Sequence, residues 1–373
     1  MDTAEQLSSG AVEAPDLAEL VGRRGPFLSL YLNTEPDVEN AARRSETRWK
    51  NARWDLEHEG APGGVLDAVA ELVPDAHLQG ACLAVIADAD AILHLEHGPV
   101  VSPSDEATWG PLPRLLPILE WRQSEPPYLV VLTDRTGADV FGFARGVPDA
   151  IRDEVEGDHD EIRRVKPGGW SQRRYQERAE DSWRENAEQV ADRVARLAQD
   201  LNAQIVIVAG DVRAVELLRK ALPDRIAELV HVVEGERPWE GKGDPMPEET
   251  RDIVERHVRG TTDRLLERFA EERGQHDKAV EGVDGTARAL ARAQVAVLLI
   301  APSEIDRELS FGQEPALLGS VEELTDLGVD AHEPGPARDV LIRAALGTGA
   351  GVRILDGADA VRGGVGALLR WST

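Results

Sequence analysis

The chain has 373 residues, 42% hydrophobic and 30% charged, with a net charge of -27 and a single cysteine. That length predicts two or three separate cores. Lone Cys82, inside the apolar run Gly80–Ile86, excludes an intrachain disulfide framework and reads as a small buried residue. A field this negative repels nucleic acid from most of the surface, so any RNA contact must be confined to local basic patches.

No apolar run approaches the ~18 residues of a membrane-crossing helix. The polar, acidic start lacks the basic and apolar regions of a secretory signal, which points to a cytoplasmic protein. A short helix is expected around Leu17–Val21 and an alternating strand over Phe27–Asn33. Residues 41–59 have the spacing of an amphipathic helix that buries Ser45, Trp49, Ala52 and Leu56. A further helix near Val65–Val73 precedes two strands, Cys82–Ala87 and Ala91–His97, joined at Asp88-Ala89-Asp90. A proline-rich stretch follows from Pro99 to Pro113, then a short helix to Trp121. His94 and His97 stand on opposite faces of their strand, which argues against a metal site.

The punctuation Gln123-Ser124-Glu125-Pro126-Pro127 marks a candidate boundary. Strands follow at Tyr128–Thr133 and Ala138–Phe143, and residues 145–162 read as acidic loop. From about 172 to 201, Tyr175, Ala179, Trp183, Ala187, Val190, Val194, Leu197 and Leu201 keep helical spacing. Strand Ile205–Ala209, a helix over 212–222 capped by Asp211, and strand Leu229–Val233 predict a parallel α/β layer. After a loop at 235–250, a helical pair is expected over 248–274, broken near Gly260. The last third reads as helix 284–293, strand Val295–Ala301, helices 314–327 and 336–346, strand Val352–Asp356 and a strand near Gly366–Trp371. Gly347-Thr348-Gly349-Ala350-Gly351 joins a helix to a strand, the reverse of a dinucleotide site, and reads as a C-cap and turn.

Two basic clusters oppose the acidic average. Residues 163–178 hold Arg163, Arg164, Lys166, Arg173, Arg174 and Arg178 against Glu177 alone, a local +5. Gly168 and Gly169 permit close backbone approach to a partner. Ser171 can cap the helix that follows, whose N-terminus suits a phosphate. Trp170 offers a face for base stacking, and Gln172 lies two residues on. The competing account is a glycine turn before a helix, with the arginines paired to acidic neighbours. The second cluster is Arg43, Arg44, Arg48, Lys50 and Arg53 on the 41–59 helix; the bland alternative there is a solvated helix face.

Gly168-Gly169-Trp170-Ser171 followed by Arg173-Arg174-Tyr175 resembles the Gly-Gly-Gln-Ser loop of the archaeo-eukaryotic peptide chain release factors, a superfamily that includes Pelota. The long helix, strand Ile205–Ala209 and the segment from Val280-Glu281-Gly282-Val283 to Val295–Ile300 follow that family's order, and the N-terminal part looks like its bacterial branch. The resemblance implies an α/β, three-domain release-factor-like architecture: a domain over 1–124, a mixed-sheet middle domain over 125–275 carrying the loop and long helix, and a C-terminal α/β/α sandwich over 276–373. It also implies a tRNA-shaped factor in the ribosomal A site that directs the 163–174 loop to the peptidyl-transferase centre, with large-subunit RNA as partner and an elongation-factor GTPase as a second contact. Resemblance to the Balon-type hibernation factors points to idle or stressed ribosomes.

Departures from the family change the chemistry. The loop Gln that positions water for ester hydrolysis is here Trp170, whose indole has a single N–H donor and no carboxamide acceptor. The family's stop-codon motifs are absent; Trp49-Lys50-Asn51-Ala52-Arg53 is a distant stand-in. A binding factor is therefore expected rather than an enzyme, with no catalytic residue, no cofactor and no metal. The alternative is a ribosome-rescue peptidyl-tRNA hydrolase or nuclease with a variant loop.

Overall fold

The computed structural model describes residues 10–35, 39–98, 104–144, 151–156, 170–234, 248–275, 278–357 and 361–372, with residues 156, 170–181 and 248 described as backbone alone. Two compact units emerge: one from Met1–Ser124 with Arg259–Thr373, the other from Glu125–Val258. No described helix is long and apolar enough to cross a membrane.

In the first unit, α1 (Pro15–Val21) precedes β1 (Phe27–Asn33), α2 (Ala41–His58) and α3 (Gly63–Leu72). Strands β2 (Cys82–Ala87), β3 (Ile92–Gly98) and β4 (Glu106–Gly110) complete an antiparallel sheet in the order β3-β2-β1-β4, and α4 (Leu116–Ser124) follows. Every residue of β1 is buried, because the sheet is covered on both faces. Leu28, Leu30 and Leu32 pack with Trp49, Ala52 and Leu56 of α2. Phe27 and Tyr31 face the other way, into a core shared with the C-terminal third. The alternation read in this strand is thus an alternation between two cores.

The second unit contains β5 (Tyr128–Thr133), β6 (Gly137–Phe143), β7 (Ile151–Glu156), α5 (Trp170–Asp200), β8 (Ile205–Gly210), α6 (Val212–Ala221), α7 (Asp224–Ala227) and β9 (Val230–Val232). Its sheet runs β7-β6-β5-β8-β9, with β5, β8 and β9 parallel and β6 and β7 antiparallel. Helices α5 and α6 cover one face through Val190, Val194, Leu197, Val215 and Leu218. Ile253 and Val254 of α8 (Glu248–Gln275) cover the other.

The division between the units falls within α8. Its C-terminal half returns to the first unit, where Leu265 and Phe269 pack on a four-stranded sheet. That sheet contains β10 (Ala279–Glu281), β16 (Val365–Leu369), β11 (Val295–Ile300) and β15 (Gly351–Ile354), in that order. Helices α9 (Val283–Ala291) and α11 (Ala337–Gly347) cover its opposite face, giving the expected α/β/α sandwich. A small sheet of β12 (Glu308–Phe311), β13 (Leu318–Gly319) and β14 (Glu333–Pro336), with α10 (Val321–Asp326), is inserted between β11 and α11.

Four local expectations are corrected. The helical pair at 248–274 is one helix, because Gly260 costs only about 1 kcal/mol against Ala in a helix interior and does not break it. The helix at 314–327 shortens to α10, since Pro315 and the close approach of Gly312 to Leu317 shape a turn. Strand β4 lies in the proline-rich stretch and β7 in the acidic one.

Buried arginines join the N- and C-terminal parts of the first unit. Arg343 donates to the carbonyls of Val21 and Gly312, both at 3.1 Å, and of Gln313. Arg353 donates to Gly10 O at 3.0 Å, beside the bridge between Val12 and Val352. The Gln123 carboxamide pairs with the Ile354 peptide in both directions at 2.8 Å, as a strand would. Arg122 is buried between Asp16, at 2.7 and 2.8 Å, and Glu96, at 2.7 Å. Burial pushes the Glu96 carboxyl up, but His94 and Arg122 outweigh it and hold it below the ordinary carboxylate range.

Arg122→Ala is expected to cost about 3–5 kcal/mol at neutral pH in urea unfolding, because it strands Glu96 in the interior. The Glu96 pKa is depressed on folding, so this contribution is present above its unfolded value and fades as pH falls through the folded one. The gap between wild type and variant therefore narrows in acid. At Gly260 an added Cβ meets nothing within 4 Å. Gly260→Ala should raise stability by about 0.5–1 kcal/mol in the same assay.

Candidate nucleic-acid interface

Arg163, Arg164, Lys166, Gly168 and Gly169 lie outside the described residues. Helix α5 begins at Trp170, so Trp170, Ser171 and Gln172 belong to its first turn and Arg173, Arg174 and Arg178 to the next two. The chain turns helical two residues earlier than its spacing suggested. Over 31 residues, α5 spans about 46 Å. Among its residues from Ser182 onward, the buried ones are Asn186, Ala187, Val190, Ala191, Val194, Leu197 and Ala198. Trp170 stands 13 positions before Trp183, about 20 Å along the axis.

The root of α5 is built at the carboxyl ends of β5 and β8. Thr133 ends β5, and Asp134 Oδ1 accepts from the backbone N–H groups of Thr136, at 2.7 Å, and Gly137, at 3.0 Å, closing the hairpin. This turn presents Arg135. Its guanidinium lies 4.8 Å from the centre of the Trp183 ring and donates to Asp211 Oδ2 at 3.1 Å. Asn186 Nδ2 donates to the Arg135 carbonyl at 3.1 Å. Asp211 caps α6, accepting from the N–H groups of Arg213, at 3.0 Å, and Ala214, at 3.3 Å. Burial raises the Asp211 carboxyl, but these N–H groups and Arg135 prevail and hold it below its usual value.

Open α/β sheets commonly bind ligands at such strand ends. Here the protein's own carboxylate occupies the helix N-terminus. The remaining cavity, about 10 Å³ beside Trp183 and Asn186, is the size of one water. The cluster therefore fixes a helix and has no room for a substrate. In the sequence Trp183 reads only as a helix-face residue, and Arg135 and Asn186 carry no local signal, because the partners in this cluster lie 48 to 76 positions apart.

The second cluster divides on inspection. Arg44 pairs with Glu35 at 2.8 Å, and Arg48 bridges Glu35 at 2.8 Å and Asp105 at 3.1 Å. Arg53 bridges Glu57 at 2.8 Å and Asp67 at 2.9 Å. These three bind α2 to its own surroundings. Arg43 and Lys50 have no carboxylate partner among the described residues and are exposed.

With this geometry in view, the chain can be placed among known proteins. Residues 127–275 match the family model described as bacterial archaeo-eukaryotic release factor family 2, so the expected likeness to the bacterial branch of the release factors is found over that segment. Over 358 residues the chain is 25% identical to the uncharacterized protein Rv2629 of Mycobacterium tuberculosis, covering 95% of each. Among solved structures it resembles the archaeal termination factor aRF1 (16% identity, 99% of each chain, TM-score 0.26). It also resembles Archaeoglobus fulgidus Pelota (14%, 97% of this chain and 93% of the other, TM-score 0.32).

The root makes one sharp demand on sequence. Gly210 has φ +139°, and a Cβ there would sit 1.7 Å from Thr133 O. Gly210→Ala should therefore separate β8 from the Thr133 turn and cost at least about 3 kcal/mol in thermal unfolding. Wild-type stability in this variant would show that the turn is not tightly held.

Proposed function

We propose that this protein is a ribosome-binding, release-factor-like factor that enters the A site and carries the 163–174 segment to the peptidyl-transferase centre without releasing peptide. The observation that carries the reading is Trp170 at the first position of a 31-residue helix, in a segment matching a release-factor family model. Rooting the C-terminal half of α5 on a sheet favours delivery of its other end to a distant target. The target is RNA, because 163–178 gathers six cations against a single carboxylate in a chain of net charge -27. Trp170 supplies stacking area where a release factor needs a carboxamide, which favours occupying the site over hydrolysis in it. Hibernation or stress protection is the role that fits a factor which fills the A site and does no chemistry there. An elongation-factor GTPase is a suitable delivery partner.

The rescue alternative would assign water positioning to Gln172. That residue already lies in the first helical turn, with its backbone in regular conformation, and not in the glycine loop.

Co-sedimentation with 70S ribosomes tests the proposal. Wild type should pellet with ribosomes. Trp170→Ala should weaken binding by roughly 5–150-fold, the loss of one stacked base. Arg173→Glu/Arg174→Glu should weaken it further and flatten its salt dependence. Peptidyl-tRNA should remain intact throughout. Failure of wild type to bind sinks the reading, and peptide release lost on Gln172→Ala would transfer it to rescue.

A further inference from the structure

We infer that the outward face of α2 is a second RNA contact, a platform that stacks an unpaired base on Trp54 and holds its phosphates with Arg43 and Lys50. The inference extends the proposed RNA-binding role to a separate surface, but it rests on observations of its own. Trp54 is 60% exposed, an unusual position for an indole. At 100° per residue, Arg43, Thr47, Lys50, Trp54 and His58 fall on one stripe, opposite the buried Ser45, Trp49, Ala52 and Leu56. The stripe runs about 22 Å along the helix, enough for a short single strand.

The indole is preorganised. The His58 ring lies 3.9 Å from it, centre to centre, and His58 Nδ1 is 2.7 Å from Trp54 O. The imidazole covers one side of the indole, and the high exposure leaves the other to solvent. Nearer the start of the same helix, a shallow groove of about 370 Å³ is lined by Asn40, Arg43, Arg44, Thr47, Arg48 and Asn51, with no carboxylate among them. Ion pairing separates the cations by role. Arg44, Arg48 and Arg53 are committed to Glu35, Asp105, Glu57 and Asp67, whereas Arg43 and Lys50 have no carboxylate partner among the described residues. Cations flanking an aromatic platform match the needs of single-stranded RNA: backbone neutralisation together with a π-face that accepts any base. A duplex offers no free base face to Trp54.

The test is fluorescence anisotropy of a labelled short oligouridylate with the full chain at low salt. Trp54→Ala should weaken binding by roughly 5–150-fold. Arg43→Glu/Lys50→Glu should weaken it and reduce the salt slope by about 2. Both changes are on an exposed face, so circular dichroism should remain that of wild type. His58→Ala, which frees the indole without removing it, should have a smaller effect than Trp54→Ala. The proposal is overturned if wild type does not bind, if both α2 variants bind as wild type does, or if polyglutamate of equal length competes as well as the oligonucleotide, which would make this face a protein-docking surface. The two readings fail separately. Loss of 70S binding in Trp170→Ala with oligouridylate affinity intact supports both sites, and oligouridylate binding by a chain that ignores ribosomes removes only the ribosomal role.

Discussion

Packing of Val190, Ala191, Val194 and Leu197 in one core with residues of β5, β6 and β8 is the constraint on which the proposed function turns. A helix of 31 residues is not held by propensity alone; it needs a tertiary anchor. Here the apolar stripe supplies that anchor, and the Arg135–Trp183–Asn186 cluster sets where it ends. Arg135 is held from three directions: by the Asp134 turn, by the Trp183 ring and by Asp211. Asp211 is held in turn by the first N–H groups of α6. The carboxyl ends of two parallel strands, a common address for substrate, serve here as the foundation of a helix.

Charge must be read through its partners. Arginine dominates the basic residues, and several of the least exposed arginines are structural. Arg122, Arg343 and Arg353 connect segments more than a hundred residues apart, using carboxylates or backbone carbonyls as partners. The planar fork of Arg suits this work, since it can serve several acceptors at once and stays charged when buried. Burial pushes the Arg343 guanidinium down only to about 10. A count of basic residues on α2 therefore overstates its attraction for RNA, because Arg44, Arg48 and Arg53 are neutralised locally.

How much could be read in the chain beforehand depended on whether the cause was local. Ser45, Trp49, Ala52 and Leu56 announced the buried face of α2 because helical period and burial coincide. Asp211 announced its own cap. Strand β4 was hidden among prolines because it is an edge strand whose reason for existing is β1, more than seventy positions earlier. Strand β7 was hidden by Arg152, Asp153 and Glu154, charges of the kind that protect an edge from unwanted pairing. Its partner β6 decides the matter. At the candidate interfaces, the motif around Gly168 and Gly169 stands in the sequence but lies outside the described residues, whereas Trp54 belongs to no motif. Its stripe with Arg43 and Lys50 is present in the spacing, but only the ion pairs among the described residues separate these two cations from Arg44, Arg48 and Arg53.

Trp170 and Trp54 have one physical logic. In sequence each proposed site sets a tryptophan among a local concentration of basic residues, in a chain whose net charge is -27. Such a surface does not hold RNA by charge alone, since long-range repulsion opposes every phosphate that approaches. Short-range stacking, which salt screens far less than it screens charge, has to supply the remainder. A protein built this way should bind RNA only where an unpaired base can reach the indole. On the proposed reading, that requirement makes a strongly acidic chain selective among RNAs, because duplex and bare backbone are rejected by the same charge that stacking must overcome.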